Sequence, residues 1–301
     1  MNRREFIAVM GVTAAAAGKV MAEQSIESMP RIRRNGRIKQ GLWVTTFGED
    51  HFSYGKNFSF EEICQHASRL GAHGLDLILP ENWPVMRQYG LKLLMAKEGP
   101  LTFEDGIIHP DVNEKNEGPV RDYIDFCSEN DVRLFAGIGG EQRDMSLETA
   151  ANNAVTFLNR IKDHLERKNV VLALEIMNTR RTTQGLGRPG QVFGHWDWGL
   201  DVVRRVNSSH VKLICDIYHL QIMDGDLASH ISESIDWIAH FHVAGVPTRN
   251  EIDNNQEINY RYLAEVIASL DYQGYVSHEW RPSAGKDPLN AIETAMNIMD
   301  V

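Results

Sequence analysis

The chain has 301 residues, of which 43% are hydrophobic and 24% charged, and its net charge is -10 at pH 7. This ordinary globular composition excludes a collagen-like, low-complexity or wholly disordered chain, and the length allows one large α/β barrel or two smaller domains. The acidic balance disfavours a sequence-independent grip on phosphate backbones, so we expect no nucleic-acid partner. Three widely spaced cysteines do not make a disulfide framework, and we expect buried or free thiols at Cys64, Cys127 and Cys215.

The first 22 residues have the pattern of an export signal. Arg3 and Arg4 directly precede a small, apolar stretch over residues 8–17, and Ala22 provides a small residue at a cleavage point. We therefore expect a twin-arginine signal peptide over residues 1–22 and a periplasmic protein. The alternative is an apolar N-terminal helix that stays attached. The apolar stretch is too short to remain as a spanning helix, and we expect no stable membrane anchor.

The rest of the chain alternates between strand-like and helix-like segments. Residues 23–38 are polar and basic and are interpreted as a linker. Ser59 and Glu62 form a capping box before a helical pattern, and further helical patterns follow Ser146 and Asn259. The apolar runs have the length of buried parallel strands and lie at 40–47, 74–79, 91–96, 132–138, 170–176, 211–216, 238–243 and 274–279.

Eight strand-then-helix units over residues 39–301 predict an α/β fold, a (β/α)8 TIM barrel in a single domain. A dinucleotide-binding fold is the rival interpretation of an alternating pattern. Its glycine fingerprint is missing, because Gln142 stands where the third glycine after Gly137 and Gly139 belongs.

Four consecutive predicted strands end in a candidate metal ligand. These residues are Glu175, Asp216, His242 and Glu279. In a barrel the carboxyl ends of the strands meet at one face, where three carboxylates would repel one another unless a cation lay among them. The oxygen-rich set predicts one divalent metal ion, Mn²⁺, Mg²⁺ or Co²⁺. A buried ion-pair network is the alternative.

Two further side chains follow these strand ends. His219 comes just after the sixth predicted strand, and Arg249 follows the seventh. A guanidinium at this position is suited to bind a substrate carboxylate or hydroxyl. For His219, considered alone, a surface imidazole is the alternative interpretation. Trp196 and Trp198 either line a sugar-sized pocket or pack against the barrel.

The chain resembles the hydroxypyruvate isomerase family in four segments, which read ALEIMNTR, CDIYHLQIMDGDL, HFHVAGVPTRNEIDNNQEINY and GYVSHEW. That family is similar to other xylose-isomerase-like barrels of the AP endonuclease 2 superfamily, including sugar epimerases. The resemblance implies that Glu175, Asp216, His242 and Glu279 bind the metal, that Glu175 and Glu279 are catalytic and move a proton, and that His219 and Arg249 bind substrate. His242 stands where hydroxypyruvate isomerases have Gln and the epimerases have His.

These observations predict a metal-dependent isomerase or epimerase that acts on a small carbohydrate or hydroxy-keto acid through an enediolate. One alternative is an exported lyase or hydrolase that acts on keto-sugars or keto-glycosides with the same metal site. Another is a non-catalytic periplasmic sugar-binding protein, which would not need four convergent ligands. Each of these three hypotheses is compatible with a homo-oligomer.

Overall fold

The structure, a computed structural model, describes residues 30–97, 99–183 and 185–301. The predicted signal over residues 1–22 and the first part of the predicted linker lie outside the described residues. Eight parallel strands form one sheet: β1 Gln40–Leu42, β2 Gly74–Asp76, β3 Lys92–Met95, β4 Leu134–Gly137, β5 Val171–Glu175, β6 Val211–Asp216, β7 Ile238–Val243 and β8 Tyr275–His278.

The sheet curls into a nearly closed barrel. Strand order is β3-β2-β1-β8-β7-β6-β5-β4, and β1 pairs with β8 through Gly41 and Ser277. Across the remaining gap Ala96 bridges to Phe135, and its N–H donates to the carbonyl of Leu134 at 2.9 Å. The eight predicted strands and the single-domain (β/α)8 barrel are confirmed.

Helices follow the strands around the outside of the barrel. As predicted, Ser59 and Glu62 form a capping box, and the side chains of Ser146 and Asn259 each accept a backbone N–H three residues later. The helices are α1 Phe60–Arg69, α2 Trp83–Gln88, α3 Pro110–Glu129, α4 Leu147–Lys168, α5 Trp196–Val206, α6 Ile217–Met223, α7 Leu227–Ser234, α8 Tyr260–Ser269 and α9 Pro288–Met299, with short 3-10 turns at Val44–Phe47, Pro80–Asn82 and Ile235–Trp237.

The described part of the predicted linker lies against the barrel. Residues 30–38 contain no helix or strand. Ile32 donates its N–H to the carbonyl of Arg69 at 2.8 Å, and the guanidinium of Arg34 donates to the carbonyl of Leu70 at 3.1 and 3.0 Å. This segment therefore supplies partners for the carbonyls at the C-terminal end of α1, which have none within the helix.

Apolar packing divides into two parts. The larger core lies between the helices and the outer face of the strands and contains Phe135, Leu172, Phe241 and Val276. A smaller cluster inside the barrel contains Met95, Leu134, Ala136, Ala173 and Ile214. Within the described residues no helix has the length and apolar character needed to cross a membrane.

Candidate active site

The four candidate metal ligands lie together at the C-terminal face of the barrel. Glu175 and Asp216 are the last residues of β5 and β6, His242 is the penultimate residue of β7, and Glu279 directly follows β8. One ligand atom from each side chain lies within 4.8 Å of the others. Because these four strands are neighbours that run in the same direction, their ends converge on one point.

The imidazole of His242 faces two of the carboxylates. Its Nδ1 lies 2.8 Å from Oε2 of Glu279 and 3.9 Å from Oε1 of Glu175. Burial opposes the charged form of Glu279, but Arg249 and His242 hold the pKa of this carboxyl well below its usual range. Glu279 is therefore ionised at neutral pH.

Asp216 is the most buried of the three carboxylates, with 1% of its side chain exposed. Burial raises its pKa to about 7 against the opposing effect of Arg249, and the neighbouring carboxylates of Glu279 and Glu175 raise it further. The cluster thus carries more negative charge than Arg249 and His242 offset, which is the condition that a divalent cation would relieve.

Two orphaned atoms give an independent test of whether a metal ion fits. Nδ1 of His242 and Oε2 of Glu279 are buried, and neither makes a well-aligned hydrogen bond with any described residue. Burial opposes the charged form of His242, but Glu279, Asp76 and Glu175 hold the pKa of its imidazole well above its usual value, so Nδ1 is protonated in the metal-free site. A metal ion would displace this proton, and Nδ1 would then coordinate the ion together with the carboxylates of Glu279, Asp216 and Glu175. These residues fit Mn²⁺, Mg²⁺ or Co²⁺.

Local backbone structure places His219 beside the cluster. Oδ1 of Asp216 caps α6 by accepting the N–H groups of Tyr218 and His219 at 2.9 and 3.3 Å. The amide nitrogen of Asn178 lies 2.6 Å from Nδ1 of His219, so Nδ1 accepts and the proton of a neutral ring is on Nε2. Burial, with help from Arg249, holds the pKa of His219 well below its usual value, so the ring is neutral.

Arg249 is held over the cluster by several contacts. Its Nη2 donates to Oδ2 of Asp216 at 3.1 Å and lies 2.8 Å from Oε1 of Glu279. Its Nη1 donates to the carbonyl of Gly185 at 3.0 Å, and the guanidinium lies 5.3 Å from the ring centre of Tyr218. The side chain is thus pre-positioned at the edge of the cavity.

A cavity of about 140 Å³ opens directly above these groups, and Glu175, His219, Arg249 and Glu279 form its polar floor. Arg188 lies at its edge, with its guanidinium 3.8 Å from the ring centre of Phe103. The remaining wall is mostly apolar and includes Trp43, Phe52, Leu77, Met95, Phe103, Ile138 and Met177.

The two tryptophans considered as pocket walls pack elsewhere. Nε1 of Trp196 donates to Ser234, and Nε1 of Trp198 donates to the carbonyl of Leu147. Neither lines the cavity, so the packing interpretation holds. Sequence reasoning missed the phenylalanines that do line it, Phe52 and Phe103, because they come from loops whose positions no periodicity specifies.

Sequence reasoning missed that the candidate ligand His242 also belongs to a buried triad with Asp76 and His240. Oδ2 of Asp76 accepts from Nε2 of His240 at 2.7 Å and from Nε2 of His242 at 3.2 Å. Burial opposes ionisation, but the two imidazoles hold the pKa of Asp76 well below its usual range. Asp76 lies inside the predicted strand 74–79, whereas the observed β2 ends at this residue; a charged residue within an apolar run was the available signal.

Comparison with known proteins places the chain in a family. The model of the xylose isomerase-like TIM barrel matches residues 47–300. The chain belongs to this family. A 2-oxo-tetronate isomerase from Cupriavidus necator is 37% identical over 225 residues, which cover 72% of this chain and 77% of that protein. The hydroxypyruvate isomerase of Escherichia coli K12 is 39% identical over 83 residues, 28% of this chain and 32% of the relative.

Solved structures support the same fold. A 3-keto-D-glucoside 4-epimerase from E. coli superposes with a TM-score of 0.67 over 87% of this chain and 98% of that one, at 18% sequence identity. At this identity the likeness shows the barrel alone. Since the sequence relatives are named isomerases, this member of the family is an enzyme of the isomerase class.

Proposed function

We propose that the protein is a metal-dependent isomerase or epimerase that acts on a small hydroxy-keto acid or sugar through an enediolate. The observation that carries this proposal is the joint placement of Glu175 and Glu279 on the floor of one cavity, together with His219 and Arg249. Glu175, Asp216, His242 and Glu279 would hold one divalent ion, which as a Lewis acid stabilises negative charge on the substrate oxygens.

Proton transfer falls to the two glutamates. Each reaches the cavity from a different strand end, and their side chains are 14% and 9% exposed. A carboxylate held at a substrate carbon can remove the proton next to a carbonyl. If one glutamate removes the proton and returns it to the neighbouring carbon, and the hydroxyl proton passes to the former carbonyl oxygen, the result is isomerisation. If the two glutamates act from opposite faces, the result is inversion.

Two other side chains would orient the substrate. His219 is neutral and carries its proton on Nε2, so it can donate to an oxygen that gains charge during enolisation. Arg249 already contacts two carboxylates and offers its remaining donors to a polar end of the substrate. Neither residue removes the substrate proton in this scheme.

Arg188 favours a hydroxy-keto acid over a neutral sugar. Its guanidinium stacks on Phe103 at the cavity wall and pairs with no carboxylate among the described residues. A substrate carboxylate would complete its hydrogen bonds. The relatives named above carry the names of two keto acids, hydroxypyruvate and 2-oxo-tetronate, which agrees with this reading.

The test is a substrate screen with protein stripped of metal by a chelator and then supplied with Mn²⁺, Mg²⁺ or Co²⁺. The panel pairs short hydroxy-keto acids with the ketoses and aldoses of the same chain length, and adds 3-keto-sugars and keto-glycosides. We expect metal-dependent isomerisation or epimerisation of a hydroxy-keto acid. Conversion without metal would contradict the proposal, and release of an alcohol from a keto-glycoside would favour the lyase or hydrolase alternative.

We also propose that the protein is exported to the periplasm by the twin-arginine route. Support comes from Arg3 and Arg4 before the apolar stretch, in a segment outside the described residues. That route carries folded proteins, which suits a chain with a preformed metal site and no disulfide framework.

A further inference from the structure

Asp76 joins two histidines of a distant strand. It is the last residue of β2, and its side chain is completely buried. His240 and His242 are two positions apart on β7, so both side chains face the barrel interior. The same carboxylate oxygen, Oδ2, accepts from Nε2 of each ring, at 2.7 Å from His240 and 3.2 Å from His242.

The intervening strands leave room for this contact across the barrel. β1 and β8 lie between β2 and β7, and the registers align Gly74 with Gly41, Gly41 with Ser277, and Ser277 with His242. Gly41 has no side chain, and a Cβ there would come within 2.2 Å of Cδ1 of Leu94 and 2.3 Å of Oγ of Ser277. Because Gly41 and Ser277 are small, side chains from β2 and β7 can meet inside the barrel.

The contact determines which nitrogen of His242 carries a hydrogen. An ionised carboxylate accepts hydrogen bonds and donates none, so Nε2 must be the protonated nitrogen. In the neutral ring Nδ1 then has a free lone pair. Nδ1 is also the nitrogen that faces Glu279 and Glu175, at 2.8 and 3.9 Å.

We propose that Asp76 is a positioning residue that fixes the Nε2–H tautomer of His242 and turns its Nδ1 lone pair toward the candidate metal site. The inference rests on the metal site of the proposed function and adds to it a residue outside the ligand set. A carboxylate behind a metal-binding imidazole holds the ring orientation and increases its basicity, and its loss typically weakens metal binding by about 10- to 100-fold.

The first test measures Mn²⁺ affinity of chelator-stripped protein by the electron paramagnetic resonance signal of free Mn²⁺. Asp76→Leu keeps the approximate shape and removes the acceptor, and we expect Mn²⁺ affinity to fall by about 10- to 100-fold. Asp76→Asn retains one acceptor oxygen, so its Mn²⁺ affinity should fall less than that of Asp76→Leu. Asp125→Leu is the matched control, because Asp125 accepts from Nε2 of His164 at 2.8 Å on the outside of the barrel. This control should bind Mn²⁺ as the wild type does.

A double-variant cycle separates positioning from general support of the fold. In His242→Gln no imidazole tautomer remains to be fixed, and the Gln oxygen can still coordinate. Adding Asp76→Leu to His242→Gln should therefore cause no further loss of Mn²⁺ affinity. An equal loss in both backgrounds, or wild-type affinity in Asp76→Leu, would overturn the inference.

A measurement on the unmodified protein covers the case in which the Asp76 variants fail to fold. With ¹⁵N-labelled histidine and Mg²⁺ bound, the side-chain spectrum should show His242 protonated at Nε2 and unprotonated at Nδ1, with a hydrogen-bonded Nε2–H. A ring protonated at Nδ1 would refute the inference. If the wild type binds no divalent ion, the metal site itself fails. If the wild type binds Mn²⁺ and Asp76→Leu binds it equally well, this inference alone fails.

Discussion

Replacing Arg249 with Met should have opposite effects on the stability of the metal-free protein and on metal affinity. Arg249 contacts Asp216 at 3.1 Å and Glu279 at 2.8 Å, and its side chain is 18% exposed. Removing one partner of a buried ion pair costs about 3–5 kcal/mol. Asp216, whose pKa is about 7, can take up a proton when the guanidinium is gone. We therefore expect the free energy of unfolding to fall by an amount near the lower end of this range, about 3 kcal/mol.

This loss corresponds to a Tm lower by about 6–12 °C in metal-free protein, at about 2–4 °C per kcal/mol for a domain of this size. Mn²⁺ affinity should rise, because the guanidinium repels the cation and competes for the same carboxylate oxygens. Calorimetric unfolding with and without Mn²⁺ measures both effects. Arg281→Met is the control: Arg281 is 46% exposed and lies 3.7 Å from Asp50, so its loss should cost less than about 1 kcal/mol. An unchanged Tm or weaker Mn²⁺ binding in Arg249→Met would refute the reasoning.

Three other predictions follow from the structure and the sequence. Chelation should lower the Tm and abolish activity, and added Mn²⁺ should restore both, since a ligand of the native state stabilises it; a metal-independent Tm would argue against the site. Burial raises the pKa of Cys64 and Cys127 to about 12 and that of Cys215 well above its usual value. Thiol modification of native protein should therefore stay slow from pH 8 to 10, and a rise typical of a free thiol would contradict this burial. Changing Arg3 and Arg4 to Lys should leave uncleaved precursor in the cytoplasm, and normal export would exclude the twin-arginine route.

The barrel and its four candidate metal ligands could be predicted from the sequence because buried parallel strands have two regular features. Each strand is a short apolar run, and each run ends on the same face of the barrel. Glu175 and Asp216 therefore marked strand ends as charged residues that interrupt an apolar run, and the ends of the next two predicted strands contributed His242 and Glu279. The order of neighbouring strands then placed these four residues together without knowledge of any side-chain contact.

Contacts across the barrel and in the loops had no such signal. Asp76 lies 164 and 166 positions before its partners His240 and His242, and no local pattern links residues so far apart. Phe52 and Phe103 come from loops after β1 and β3, and their place at the cavity depends on how those loops fold back. Tryptophans in a helical pattern were more conspicuous in the sequence, yet Trp196 serves packing.

Solvent exchange in D₂O tests the central claim most directly. With Mn²⁺ bound, the wild type should introduce deuterium at the carbon next to the carbonyl of its substrate, detected by NMR. Glu175→Gln and Glu279→Gln keep the size and one oxygen ligand but lose the basic carboxylate, and turnover should fall by about 10²-fold or more if that carboxylate transfers the proton. The variant that lacks the glutamate that removes the proton from one form of the substrate should no longer exchange deuterium into that form. Wild-type exchange and turnover in both variants would contradict proton transfer by these glutamates.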